Sequence, residues 1–144
     1  MLSHKQGSVF RVILAFFIVG AFLFALSWPQ YTKRRNAVHA KTAADLACAL
    51  AFAEETYRQQ NGAFTSDFRK LELTLTCPLA FSEKGPLLDC AEYTFQLEAD
   101  NVIRAQAKRL PVWIDVTIPD GFVQCNFPPE DWAGADLCNR FARI

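Results

Sequence analysis

Residues 12–28 read VILAFFIVGAFLFALSW, a run without a single charge. As a helix it is about 26 Å long, slightly short of the roughly 30 Å hydrocarbon core of a bilayer. Val9 and Phe10 extend it if the Arg11 side chain reaches back to the headgroups. Trp28 and Tyr31 then fall at the opposite interface, where amphipathic rings are favoured. The run is longer than the usual core of a secretory signal, and no A-x-A-like cleavage site follows it before Pro29. A membrane anchor therefore fits better than a removed signal.

Outward from this run the charges separate. Lys5, Arg11, Lys33, Arg34, Arg35 and Lys41 precede Asp45, while all 15 acidic residues lie from Asp45 onward. The net charge of zero thus hides a basic start and an acidic body. Nucleic-acid binding is not expected, because it needs basic residues along one face of the folded part. Basic residues flank the apolar run on both sides, so the positive-inside rule does not orient it. With 144 residues the chain has room for an anchor and one small domain.

Beyond Pro29, which kinks a helix or ends it, residues 30–60 contain neither Gly nor Pro. Ala43, Leu46, Leu50, Ala53 and Tyr57 recur in steps that lay one apolar face along a helix, widened by Ala44, Cys48, Ala51 and Phe52. Asn61-Gly62 is a helix stop, since glycine tolerates the left-handed cap. After it the texture becomes β-like. KLELTLT at 70–76 alternates, and 93–99, 102–109, 112–118 and 122–127 are short β-rich runs parted by Asp-Asn, Leu-Pro and Pro-Asp-Gly. The expected fold class is α+β: a long N-terminal helix, its first half in the membrane with a kink near Pro29, packed on an antiparallel sheet of three to five strands. Residues 131–143 are expected to form a short helix.

None of the five cysteines forms a C-x-x-C pair, and His4 and His39 lie far from all of them in sequence, so no metal site is expected. Cys77 to Cys90 and Cys125 to Cys138 are equally spaced. In an oxidising compartment two local disulfides follow, with Cys48 left over; five reduced, packed thiols are the alternative. No catalytic motif and no cofactor motif is present. Glu54 and Glu55, adjacent on a helix, point to different faces and read as a solvated edge. Tyr57 and Phe52 read as core, and Cys48 as a small buried residue. Arg34-Arg35 either touches anionic headgroups or is simply solvated.

At this point the chain resembles the type IV pilin and type II secretion pseudopilin family. Gly7 ends a short leader containing Lys5, and Pro29-Gln30-Tyr31 falls where that family has Pro-Gln-Tyr after a cleavage between Gly7 and Ser8. Glu54-Glu55-Thr56-Tyr57 followed by Asn61-Gly62-Ala63-Phe64-Thr65 is similar to a run at the end of the family's helix, and Gly121 to Cys138 resembles its cysteine-closed C-terminal loop. The departures are Ser8 where the family usually has Phe, and Val12 where it usually has Glu.

The resemblance implies a leader at 1–7, a transmembrane and assembly helix at 8–28, a helix continuing into the body at 29–61, and a sheet with a cysteine-containing C-terminal region at 62–144. It implies a non-enzymatic filament subunit of a type IV pilus (a fimbrium) or a secretion pseudopilus, of a minor or atypical kind. Its partners would be other pilin or pseudopilin subunits, the lipid bilayer, a prepilin peptidase that cleaves and methylates, and an inner-membrane assembly platform. The body would be periplasmic and the helix a single pass of a bacterial inner membrane, before assembly into an extracellular or periplasmic filament. The alternative is an anchored periplasmic binding domain that never polymerises.

Overall fold

The computed structural model describes residues 3–99 and 101–128, together with Gly134, Asp136 and Cys138. One helix, α1 (Ser3–Asn61), is followed by a 3₁₀ turn at Phe68–Lys70 and six strands. Pro29 lies inside α1 rather than between two separate helices. On either side of it the hydroxyls of Ser27 and Thr32 donate to the carbonyls of Leu23 and Trp28, at 2.8 and 3.0 Å. The helix ends at Gly62, whose φ of 81° is open to glycine at little cost. The Gly62 N–H closes the last turn on the Arg58 carbonyl at 2.7 Å, and the Asn61 amide caps the Tyr57 carbonyl at 3.0 Å.

The chain divides into two compact units, 1–35 and 36–144. In the first, every described side chain from 9 to 31 is exposed, with Phe16 and Phe17 each 75% accessible. These residues meet no core of their own chain, and the helix is long and apolar enough to cross a membrane.

The second unit holds the core. Its sheet is an antiparallel meander in the order β1 (Leu79–Ser82), β2 (Gly85–Asp89), β3 (Tyr93–Glu98), β4 (Val102–Ala107), β5 (Trp113–Thr117) and β6 (Val123–Asn126). Strand periodicity puts alternate residues on one face. The register therefore aligns Leu79, Leu88, Phe95, Ala105, Ile114 and Cys125 in one row across all six strands. Leu97, Ile103, Val116 and Val123 form a second row. Against this face α1 presents Ala40, Ala43, Ala44, Ala47, Leu50 and Ala51, all buried in the same cluster. The helix supplies small side chains and the sheet large ones. Alanine lets the helix backbone approach closely, so Phe95, Ile103 and Ile114 fill the layer between.

Three expectations need correction. Residues 70–76 do not form a strand: the 3₁₀ turn occupies 68–70 and the chain then runs irregularly. The alternation is still used, because Leu71 is buried and Leu73 and Leu75 pack on the core, but no neighbouring strand pairs with them. The sheet has six strands, not three to five. The missed pair, β1 and β2, forms a tight hairpin around Glu83-Lys84, with Gly85 at a φ of 122°. Its strands are short and Pro86 sits inside β2, which hides the β signal. Third, Phe52 is not core: it is 77% accessible, because the buried stripe runs through Ala47, Leu50, Ala51 and Glu54. The helix expected at 131–143 lies outside the described residues except at Gly134, Asp136 and Cys138, which are helical.

Candidate functional site

Two features carry the candidate function: the apolar surface of the first unit and the closure of the loops of the second. Gly7 and Ser8 fall in the backbone of α1. Described side chains begin at Val9, and from there Phe10, Ile13, Phe16, Phe17, Phe24 and Leu26 are exposed around the helix. Gly20 and Ala21 make a shallow notch between Phe16, Phe17 and Phe24. The rings of Phe24 and Trp28 meet at a tilt of 41° with centroids 5.3 Å apart, at the start of the polar stretch.

In the second unit the structure joins Cys77 to Cys90 and Cys125 to Cys138, with Cα separations of 4.9 and 6.0 Å. Both separations lie in the range that a disulfide spans. The first bridge closes the β1–β2 hairpin at its base, while the second ties Cys138 to strand β6. Cys48 is free and half-buried, and burial, then the neighbouring Asp45 charge, pushes its thiol pKa up, away from the reactive thiolate.

Glu54 is the residue that sequence reasoning misplaced. It is fully buried, not a solvated edge. One carboxylate oxygen accepts the Thr65 backbone N–H at 3.0 Å, and the other, Oε1, has no hydrogen-bond partner among the described residues. Burial raises its pKa, and the Thr65 N–H opposes that shift. The chain of contacts continues outward. The Thr65 hydroxyl accepts the Asp67 N–H at 3.1 Å, Asp67 accepts the Arg69 N–H at 3.2 Å, and its carboxylate pairs with the Arg69 guanidinium at 2.9 Å. A buried carboxylate on α1 thus staples the loop after the helix. The signal was present in the sequence: Glu54 follows Ala43, Ala47, Leu50 and Ala51 at helical spacing, on the buried face itself. Its neighbour Glu55 is the partly covered one and pairs with Arg58 at 2.6 Å.

The outer face of the sheet is polar. Arg104 and Asp115, directly opposite on β4 and β5, form a two-pronged pair at 2.8 and 2.6 Å. The Arg104 guanidinium also lies 5.3 Å from the Trp113 ring centroid. Such a pair pins register and offers no base or nucleophile. A groove of about 260 Å³ beside the last turns of α1 is lined by Phe52, Tyr57, Leu71 and Leu73 among others. Among the described residues no group of three or more His, Cys, Asp or Glu side chains is placed to hold a metal ion.

No family model matches the sequence, and no curated protein or solved structure matches it.

Proposed function

We propose that this chain is a structural subunit of a type IV pilus or type II secretion pseudopilus, working by packing rather than by catalysis. The observation that carries the reading is the helix surface from 9 to 31, apolar and uncharged from Val12 to Trp28 and exposed on every side. Such a surface needs lipid or other apolar helices around it. In this reading lipid covers it before assembly, and the same helices of neighbouring subunits cover it in the filament. The position of Pro29 relative to Gly7, and the Glu54–Thr65 staple inside the stretch that resembles pilins, support the same assignment. The bridges Cys77–Cys90 and Cys125–Cys138 support an oxidising location such as the periplasm for the body, with the helix as a single pass of the inner membrane.

Val12, standing where the family usually has Glu, favours a second reading. In a filament that Glu would meet the free amine of a neighbour, and Val12 cannot. The chain would then be an anchored domain that does not polymerise. The mass of the protein purified from its membrane separates the two. Loss of residues 1–7 with co-purifying filament subunits is the expected result, and an intact Met1 on a monomeric protein overturns the filament reading.

A further inference from the structure

Most of the described cations of the body pair internally. Lys41, Arg58, Arg69, Lys84, Arg104 and Lys108 each have a carboxylate oxygen within 4.0 Å. Lys33, Arg34 and Arg35 are different. None has an ion pair among the described residues, Arg34 and Arg35 are exposed, and Lys33 is partly covered. No carboxylate precedes Asp45 in the chain, and Asp45 is taken by Lys41. Lys70 and Arg109 also lack an ion pair among the described residues, but they stand singly. The three consecutive cations span about 200° of the helix circumference, which makes a collar rather than a stripe.

The collar has a definite depth. Trp28 and Tyr31 are exposed aromatic residues at the end of the apolar run, where an interface belt belongs. Lys33 to Arg35 follow Trp28 by roughly 7 to 11 Å along the axis. That places their backbone at or just beyond the outer edge of the headgroup layer, which adds about 5 to 8 Å on each side of the hydrocarbon. Their long side chains can reach back into it while their stems stay against the apolar boundary. Among the described residues no carboxylate pairs with them, and lipid phosphates can take that place.

We infer that Lys33, Arg34 and Arg35 form a binding collar for anionic phospholipid headgroups on the body side of the membrane. The inference rests on the reading that residues 9–28 cross a bilayer. The guanidinium groups of Arg34 and Arg35 suit two-pronged phosphate contacts, while Lys33 acts as a point charge. The collar would enrich anionic lipid around each subunit and hold the apolar helix at a fixed depth.

The test uses the full chain with Trp113→Phe and Trp132→Phe, which leaves Trp28 as the only tryptophan, excited selectively over the tyrosines. The protein is reconstituted into bilayers that contain brominated phosphatidylglycerol or brominated phosphatidylcholine, and quenching of Trp28 reports the lipid next to it. The expected result is a preference for phosphatidylglycerol of about five-fold or more, the scale of a single interfacial cation. The preference should fall to near one-fold in the Lys33→Gln/Arg34→Gln/Arg35→Gln variant and weaken with added salt. Equal quenching by the two lipids, or a preference that survives the triple substitution, overturns the collar while leaving the membrane reading intact. Absence of quenching by either lipid overturns both. Near-ultraviolet circular dichroism of the triple variant, matching that of the parent, confirms that the body is folded in the comparison.

Discussion

The two halves of α1 share one backbone conformation and use apolar residues in opposite ways. From 9 to 28 the side chains are large, distributed all round and exposed. From 40 to 54 the buried apolar residues keep to one face, are mostly alanines, and lie against the sheet, while Phe52 points away from it. A helix that buries one stripe on a sheet profits from small residues, because close approach brings many atoms into contact. A helix surrounded by lipid gains from size in every direction. Residue volume and angular spread, more than total apolarity, tell the two environments apart.

The largest effect should come from cutting between the halves. The full chain is expected to stay with membranes through alkaline carbonate extraction, and a chain beginning at Asn36 to appear in the soluble fraction with a cooperative unfolding transition. A full chain released by carbonate would erase the contrast. The next effect is a matched pair of truncations. Phe95 is 1% accessible in the core and Phe17 is 75% accessible on the anchor. Phe95→Ala should cost the body about 3–5 kcal/mol. Phe17→Ala should leave the denaturation midpoint of the body unchanged, because Phe17 contributes nothing to that core.

The same contrast explains what was legible beforehand. The apolar run, the helix end at Asn61-Gly62 and the four strands from Tyr93 to Asn126 follow from local pattern, because each carries its periodicity within one element. The β1–β2 hairpin was not legible, since Pro86 and Gly85 look like loop residues until Leu88 is seen opposite Phe95. Residues 70–76 misled for the converse reason: alternation reports which side chains are buried, not whether a partner strand exists. Phe52 and Glu54 exchange the places that residue type alone would give them. Their positions differ by 200° on the helix, and the buried stripe passes through the acid.

A smaller effect sharpens how the body holds its irregular parts, which the anchor does not have. Replacing Cys77 and Cys90 together by Ser should lower stability by about 3 kcal/mol, the entropy cost of reopening a loop of roughly 14 residues. The measurement is a urea midpoint without reductant. Reductant should then have less effect on the double variant than on the parent, because the Cys77–Cys90 constraint is already gone. A midpoint equal to the parent would mean that the hairpin holds its place by pairing with β3 alone.

The smallest expected effect concerns Glu54, where the buried stripe of α1 departs from apolar chemistry. Its pKa is raised by burial, so the native state holds the proton more tightly than the unfolded chain. Its favourable contribution is therefore complete below the unfolded value of about 4.5 and is lost as pH rises through the folded pKa. Glu55 and Asp67 run the other way. Hydrogen bonds from Arg58 and Arg69 lower their pKa values, so their contribution is lost as pH falls. The two trends oppose one another in the wild-type profile, and Glu54→Gln removes only the first. The amide can still accept the Thr65 N–H, and it carries no charge to desolvate. Glu54→Gln should therefore unfold at or above the wild-type midpoint at pH 7, with the gain shrinking toward pH 4. Glu54→Ala leaves the Thr65 N–H without its buried acceptor and should cost about 1–3 kcal/mol at both pH values. Chemical denaturation of the three proteins from pH 4 to 8 decides it. A Gln variant that tracks the wild type in parallel across that range would mean that the Glu54 carboxyl has the same pKa folded and unfolded, which overturns the shift. The Thr65 N–H would then fully offset the cost of burying the carboxylate.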